Sequence, residues 1–198
     1  MKEKFNWKKV VVEALMIVLS VLLALFINEW KSNENERRNT SIMLENITAE
    51  VEHNKNLIEN LLPYHKSVLE NIQAAAYKDS LSHTFLRNGY FEMSSVAPKG
   101  IKQGEFQNIA WSIAKEDKIS NRISFDESQL LFAAYEQQLR VLVTINRIID
   151  ILVSREIHRE ELIEESVIIL ALEWNEMIAQ EEELLYRYAQ TLKKLQSR

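Results

Sequence analysis

Apolar residues near the N-terminus form one long run. From Val10 to Asn28 the chain has 19 residues, of which only Glu13 is charged. A helix of this length spans roughly 28 Å, close to the hydrocarbon thickness of a bilayer. Trp7 and Trp30 flank the run as interfacial anchors, as aromatic residues do at both membrane surfaces. The pattern predicts a transmembrane helix, because a soluble core helix would show a polar face and a cleavable signal peptide would be shorter.

One face of the predicted span carries polar and small residues, at spacings of 7, 4 and 4: Glu13, Ser20, Ala24 and Asn28. Such residues let helices approach closely and hydrogen-bond within lipid. This face is therefore a candidate contact surface for another span. The alternative is that Glu13 faces lipid near the interface, beside Lys9 one turn earlier, with its carboxylate reaching the headgroups. The sequence leaves both interpretations open.

Seven-residue apolar repeats dominate the rest of the chain and predict long amphipathic helices. The first helix is expected to end or kink at Pro63, with a second helical stretch over residues 64–77. Two more helices are predicted over about residues 127–155 and 160–196, the former capped by Ser124 or Asp126. The repeat positions are Leu44, Ile47, Val51, Asn54, Ile58 and Leu61, then Leu131, Tyr135, Gln138, Leu142, Ile145, Ile149 and Leu152, and finally Leu170, Trp174, Met177, Glu181, Leu184, Tyr188, Leu192 and Leu195.

Residues 78–104 lack this repeat and contain all three glycines. They predict loops with one short helix around residues 81–87, and Tyr90 and Phe91 there suit either a docking segment or a plain connection. Helical spacing resumes over residues 105–115. The predicted fold is all-α: a short basic N-terminus and transmembrane helix over residues 1–31, then an antiparallel helical bundle over residues 32–198.

Basic residues on the two sides of the span predict its orientation. Lys2, Lys4, Lys8 and Lys9 precede the span, and Lys31, Arg37 and Arg38 follow it. Basic residues are retained on the cytoplasmic side of a membrane. The four that precede the span, against three that follow it, favour a cytoplasmic N-terminus and a C-terminal domain on the other side. In a bacterium this predicts a single-pass protein of the inner membrane whose larger domain lies in the periplasm.

The composition limits the fold classes, functional sites and partners that this chain can have. The chain contains 3 Gly and 2 Pro, where typical usage would give roughly 14 and 10, which is typical of a helical protein. It has no Cys, which excludes disulfides, thiolate zinc sites and cysteine nucleophiles. The formal net charge of −5 argues against a nucleic-acid partner, because neutralising phosphates requires a basic face.

The candidate chemical sites are few. Glu50 and His53 have the i, i+3 spacing of helical di-metal sites, but no second pair of this kind follows, so we expect neither a metal nor another cofactor. The acidic residues at 160–165 and 181–183 are interpreted as solvated faces. Trp111 and Trp174 are more typical of core aromatic residues than of a ligand pocket. The sequence contains no catalytic motif.

Several short stretches together resemble an uncharacterised family of bacterial single-span membrane proteins. They are Glu13, Ser20, Leu23-Ala24-Leu25, Ile27-Asn28 and Trp30 in the span, then Leu62-Pro63-Tyr64-His65, Ala110-Trp111 with Ala114, and Ala134-Tyr135-Glu136-Gln137. In that family the span has an early Glu and ends in Leu-x-Ala-Leu-x-Ile-Asn-x-Trp, although its central small residue is often Gly where this chain has Ser20. The resemblance implies an architecture and no activity.

These patterns favour a non-enzymatic, membrane-anchored interaction or scaffold protein, whose partners are the lipid bilayer and either further copies of itself or another membrane protein. Asn54 and Gln138 occupy positions where a buried polar residue can set register and partner number. One alternative is a sensor that binds a small ligand in a cavity among Trp111, Tyr135 and Trp174. A metal-dependent enzyme built on Glu50 and His53 is the least favoured alternative.

Overall fold

A computed structural model describes residues 7–76, 85–87 and 90–197, with the side chains of residues 8–10 and 87 excepted. The basic residues Lys2 and Lys4, and the predicted helical residues 81–84, lie outside the described residues. The chain divides into two compact units, Met1–Leu44 and Glu45–Arg198. The predicted boundary after residue 31 concerns the end of the membrane anchor and stays a prediction.

The described residues form four α-helices and a two-stranded hairpin. The helices are α1 (Trp7–Ala76), α2 (Ile109–Glu116), α3 (Phe125–Val153) and α4 (Ile163–Gln196). The strands β1 (Leu86–Arg87) and β2 (Tyr90–Phe91) pair antiparallel. Short 3-10 turns lie at Met93–Ser95, Ile119–Asn121 and Glu156–His158. The all-α prediction is confirmed, including the long helices.

In the first unit, α1 carries the apolar run predicted to cross a membrane. Its best 18-residue window has a mean hydropathy of 2.5, and none of that window is buried within the protein. By length and composition this helix is able to span a bilayer. Trp7 and Trp30, at the two ends of the run, are each 67% exposed.

At Pro63 the predicted end of the helix is wrong, because α1 continues through it to Ala76, and the second stretch predicted from residue 64 is part of the same helix. The alternative, a kink at Pro63, stays a prediction. Pro63 is exposed, and so is Glu59, the residue whose carbonyl loses its helical partner. Ile58 and His65, on either side of the proline, are buried. Their packing fixes both adjoining turns to the bundle, so one missing hydrogen bond does not terminate the helix.

In the second unit, the C-terminal part of α1 packs with α3 and α4 in a three-helix core. Glu52 of α1 contacts Gln196 of α4, and His65 contacts Glu181, so α1 and α4 are antiparallel. Tyr188 of α4 contacts Gln138 of α3, and Thr191 contacts Leu130, so α3 and α4 are also antiparallel.

The predicted repeats supply most of this core, but Leu61 of α1 and Leu142, Ile149 and Leu152 of α3 are only half-buried. In the second half of α3 the buried positions are instead Val141, Thr144, Ile145 and Ile148, because a straight helix drifts out of a strict seven-residue repeat. All eight predicted positions of α4 are buried: Leu170, Trp174, Met177, Glu181, Leu184, Tyr188, Leu192 and Leu195.

Because α1 and α3 both run antiparallel to α4, they are parallel to each other, and the chain must return along the bundle between them. Residues 96–108, here called the strap, make this return. The strap is held by side chains of α1 that bind its backbone: Asn71 donates to Val96 O at 3.0 Å, Tyr64 to Gly100 O at 2.7 Å, and Asn54 to Gln107 O at 2.7 Å. Gly104 lies so close to α1 that an added Cβ would be 2.5 Å from a methyl carbon of Leu57.

Two local predictions met different outcomes. Ser124 caps α3 as expected: its hydroxyl accepts from the Glu127 backbone N–H, while the Glu127 carboxylate accepts from Ser124 N, which is a capping box. The short helix predicted around residues 81–87 is wrong at Leu86 and Arg87, which form β1. Beside β1, Tyr90 is exposed, whereas Phe91 is half-buried and stacks on Phe85, with ring centroids 5.6 Å apart.

Candidate functional site

The first candidate site is the polar and small face of the apolar run. Glu13, Ser20, Ala24 and Asn28 all lie exposed on one continuous helix, so their spacing places them on one side of α1. The Ser20 hydroxyl donates to Met16 O of the preceding turn at 2.8 Å. Its donor is therefore satisfied within the helix, and its oxygen retains a lone pair that can accept from a neighbouring helix.

The second candidate site is a row of buried polar groups inside the bundle, and Glu50 begins it. The Glu50 carboxylate accepts from the backbone N–H groups of Ala110, at 2.8 Å, and Trp111, at 3.2 Å. These are the second and third residues of α2, so a carboxylate from α1 caps the N-terminus of another helix. The Tyr135 hydroxyl also donates to Glu50. The hydrogen bonds of the Glu50 carboxylate thus link α1, α2 and α3.

The middle of the row joins Asn54, Gln138 and Tyr188. Asn54 Nδ2 lies 3.2 Å from Gln138 Oε1, and the Tyr188 hydroxyl donates to the same oxygen at 2.7 Å. Asn54 Oδ1 accepts from Gln107 N of the strap at 2.8 Å. Asn54 and Gln138 were interpreted as positions that set partner number. In the structure they bind each other within one chain, so their polar groups stabilise this bundle.

The row ends at a buried pair, His65 and Glu181. His65 Nδ1 lies 2.9 and 3.0 Å from the two Glu181 carboxylate oxygens, and both side chains are 1% exposed. Nε2 lies 3.1 Å from Ile101 O and 3.2 Å from Lys102 O of the strap. Both ring nitrogens therefore lie within hydrogen-bonding distance of oxygen atoms of the same chain. The interpretation of residues 181–183 as a solvated face is wrong for Glu181, because it lies on the core-facing side of α4.

The tyrosines in this row have perturbed acidity. Burial raises the pKa of Tyr135, and the hydrogen bond to the Glu50 carboxylate raises this pKa further, because ionisation would place two negative charges side by side. Burial likewise raises the pKa of Tyr188, against a smaller lowering by the nearby Asn54 side chain. Both hydroxyls therefore act as donors at neutral pH.

These shifts predict a loss of stability in alkali. Below about pH 10 both tyrosines are protonated in the folded and unfolded chain. Above it the unfolded chain releases protons that the folded chain retains, so the free energy of unfolding falls by up to about 1.4 kcal/mol per pH unit for each tyrosine. Urea unfolding at pH 8 to 11 measures this slope. Tyr135→Phe should make it shallower, whereas Tyr186→Phe, at an exposed position, should leave it unchanged; equal slopes in all three proteins would contradict the prediction.

The aromatic residues divide between two places. Trp111 stacks on Tyr135, with ring centroids 5.2 Å apart, and packs edge-on against Phe132 at 4.8 Å. Trp174 lies further along the core, where its indole donates to His65 O at 3.0 Å. The prediction that both tryptophans are core residues is confirmed by exposures of 3% and 0%. A cavity of about 90 Å³ adjoins Trp111 and Tyr135, but Trp174 does not line it.

The predicted pair of Glu50 and His53 does not form one site. Glu50 is buried and engaged by three donors, whereas His53 is exposed. In the part of the chain that the structure describes, no group of three or more His, Asp or Glu side chains is placed to hold a metal ion.

Comparison of the chain with protein-family models, with curated proteins and with solved structures gives no match. The fold and the sites therefore define the protein only as a helical protein whose N-terminal helix is long and apolar enough to span a membrane.

Proposed function

We propose that this chain is a single-span protein of the bacterial inner membrane that works by binding other membrane proteins, with its helical domain in the periplasm. The observation that carries the proposal is the run of apolar side chains from Val11 to Ile27, none of which is covered by the rest of the protein. So large an apolar surface requires lipid or a protein partner to cover it.

The interior of the helical domain supports an interaction role over catalysis. Catalytic acids and bases need access to a substrate. Glu50, His65 and Glu181 are instead buried and engaged with groups of the same chain. These contacts join α1, the strap and α4 to one another, so these groups stabilise the fold of this chain.

The partner proposed for the span is a second copy or another membrane protein that packs on the face formed by Glu13, Ser20, Ala24 and Asn28. In lipid, association depends on close packing and hydrogen bonds, because the surrounding acyl chains are as apolar as the helices. Ala24 permits close approach, and Ser20 and Asn28 supply acceptors and donors on the same side.

The alternative function is a membrane-bound sensor with a small ligand in the helical domain. The cavity beside Trp111 and Tyr135 is the observation in its favour. However, its volume of about 90 Å³ is small beside the roughly 300–1,000 Å³ of typical ligand pockets. Trp174, which the sensor hypothesis places in the same cavity, is engaged elsewhere. The interaction role is therefore the better supported proposal.

Disulfide cross-linking in membranes tests the role of the span, and the chain has no native Cys to remove. We expect Ala24→Cys to form cross-linked dimers on oxidation, and Glu13→Ala with Asn28→Ala to reduce their yield severalfold. Leu22→Cys, on the opposite side of α1, is the matched control and should remain monomeric. A cross-link to a different protein would assign a heterologous partner. Equal behaviour of Ala24→Cys and Leu22→Cys would reject the face, and release of the chain by alkaline carbonate would reject the anchor.

A further inference from the structure

A second exposed apolar surface lies on the helical domain, between α2 and α3. On α2, Ile109 and Ile113 are one turn apart and are 70% and 56% exposed. On α3, Phe132 and Leu139 are two turns apart and are 45% and 50% exposed. Apolar residues at such spacings form two ridges, one on each helix.

A groove separates these ridges, with the ring of Trp111 at its base. The cavity of about 90 Å³ lies in this groove and is lined by Trp111, Phe132 and Leu139 together with polar residues of both helices. The stacking of Trp111 on Tyr135, and through Tyr135 the hydrogen bond to Glu50, fixes the base of the groove to the buried polar row. The groove is therefore a formed feature of the fold.

The two sides of the groove carry opposite charges. Lys115 of α2 and Glu136 of α3 both line it. Lys115 Nζ lies 5.6 Å from the centre of the Trp111 ring, over the base of the groove. Among the described residues neither Lys115 nor Glu136 takes part in a salt bridge. Both charges are therefore available to a partner.

We infer that this α2–α3 groove binds the same groove of a second copy of the chain, related by a two-fold axis. A two-fold contact must be self-complementary, and a surface with a ridge, a groove and one charge of each sign meets this requirement. Lys115 then faces the partner's Glu136, while Glu136 faces the partner's Lys115. The inference rests on the proposed interaction role and assigns it a surface outside the membrane.

The size of the surface suits association between anchored chains. With Phe125, which is 80% exposed at the start of α3, the apolar side chains offer on the order of 500 Å² per subunit, below the roughly 800 Å² per partner of stable soluble complexes. Anchoring two chains in one membrane raises their effective concentration. At this higher concentration a small interface is sufficient for association. The groove contact is therefore expected in membranes rather than in dilute detergent.

Charge exchange in trans tests the inference with full-length chains. Two differently tagged copies are co-expressed, cross-linked in membranes with a photo-activated reagent that does not depend on lysine, and co-purified. Lys115→Glu in both copies sets two carboxylates against each other at each charge contact, and Glu136→Lys in both copies sets two ammonium groups against each other. Each should lower co-purification roughly fivefold or more relative to wild type. One Lys115→Glu copy is then paired with one Glu136→Lys copy. In this pair one contact joins the two mutated side chains, which have opposite charges, and the other joins the native Lys115 and Glu136. Both contacts are attractive, so co-purification should be restored.

The experiment distinguishes a contact through the groove from an effect elsewhere in the molecule. An effect within a single chain would not be repaired by a second variant chain, so restoration in trans identifies an intermolecular contact. Lys193→Glu and Glu164→Lys, at exposed positions on α4, are the matched control pair and should co-purify as wild type does, singly and together. Circular dichroism of each variant verifies folding. Loss without restoration in trans, or no loss in either variant, overturns the inference. Cross-linking through Ala24→Cys then shows separately whether the proposed role of the span still stands.

Discussion

Replacing Glu181 by alanine is expected to lower the free energy of unfolding by about 3–5 kcal/mol, because it leaves His65 buried without its charged partner. His65→Ala should cost a similar amount, since it also removes the donor to Ile101 O and Lys102 O of the strap. The double variant should cost clearly less than the sum of the two, as it does when two groups act on each other. Urea unfolding of the detergent-solubilised chain, followed by circular dichroism, measures all three.

The chain contains a matched control for this pair one residue further along each helix. Lys66 Nζ lies 2.6 Å from Glu182 Oε1, but these side chains are 49% and 51% exposed. Because water already solvates both charges, Glu182→Ala should cost no more than about 1 kcal/mol. Comparable losses in Glu181→Ala and Glu182→Ala would contradict the assignment of His65 and Glu181 as a buried pair that stabilises the fold.

The second large effect is expected at Glu50. Glu50→Ala leaves three donors without their acceptor: the buried Trp111 N and Tyr135 hydroxyl, and the half-buried Ala110 N. Each orphaned donor costs about 1–3 kcal/mol, so the free energy of unfolding should fall by about 3 kcal/mol or more. α2 should also lose order, because its N-terminus loses its cap. Trp111 fluorescence, followed during urea unfolding in a protein whose other tryptophans are replaced by phenylalanine, reports on both changes.

Two variants make this result specific to the carboxylate. Glu50→Gln keeps the shape of the side chain but turns an N–H group towards one of the three donors, so part of the loss should remain. Glu52→Ala removes an exposed acid two residues away that contacts Gln196 only at 3.4 Å, and it should change stability by less than about 0.5 kcal/mol. A Glu50→Ala protein as stable as Glu52→Ala would show that the cap contributes nothing.

The all-α fold was predictable from the sequence because its helices follow simple repeats. The α4 positions from Leu170 to Leu195 are buried at the predicted spacing, and Ser124 begins α3 with the expected capping box. The continuation of α1 through Pro63 was not predictable from the proline alone, because it depends on the buried contacts on both sides. The parallel arrangement of α1 and α3 was also not predicted, since the strap that produces it has no repeat.

The buried polar row was less predictable, because polar residues inside a repeat have several possible partners. Asn54 and Gln138 were recognised as buried, but the sequence could not show that they face each other rather than a second chain. Glu181 was assigned to two roles at once, a repeat position and a member of an acidic run, and only the first was correct.

The polar side chains of α1 bind the strap through its backbone, so these contacts place little restriction on the side chains of the strap. Asn54, Tyr64, His65 and Asn71 bind carbonyl or amide groups that every residue type possesses. Substitutions along the strap should therefore be tolerated wherever the side chain points away from α1, while the α1 residues that hold it should resist change. The exceptions are Val96 and Ala97, whose side chains are buried, Gly100, whose φ of +70° favours glycine, and Gly104, whose missing side chain allows the backbone to reach Leu57. In related sequences we therefore expect the residue types of the strap to vary while its backbone keeps the same course along α1.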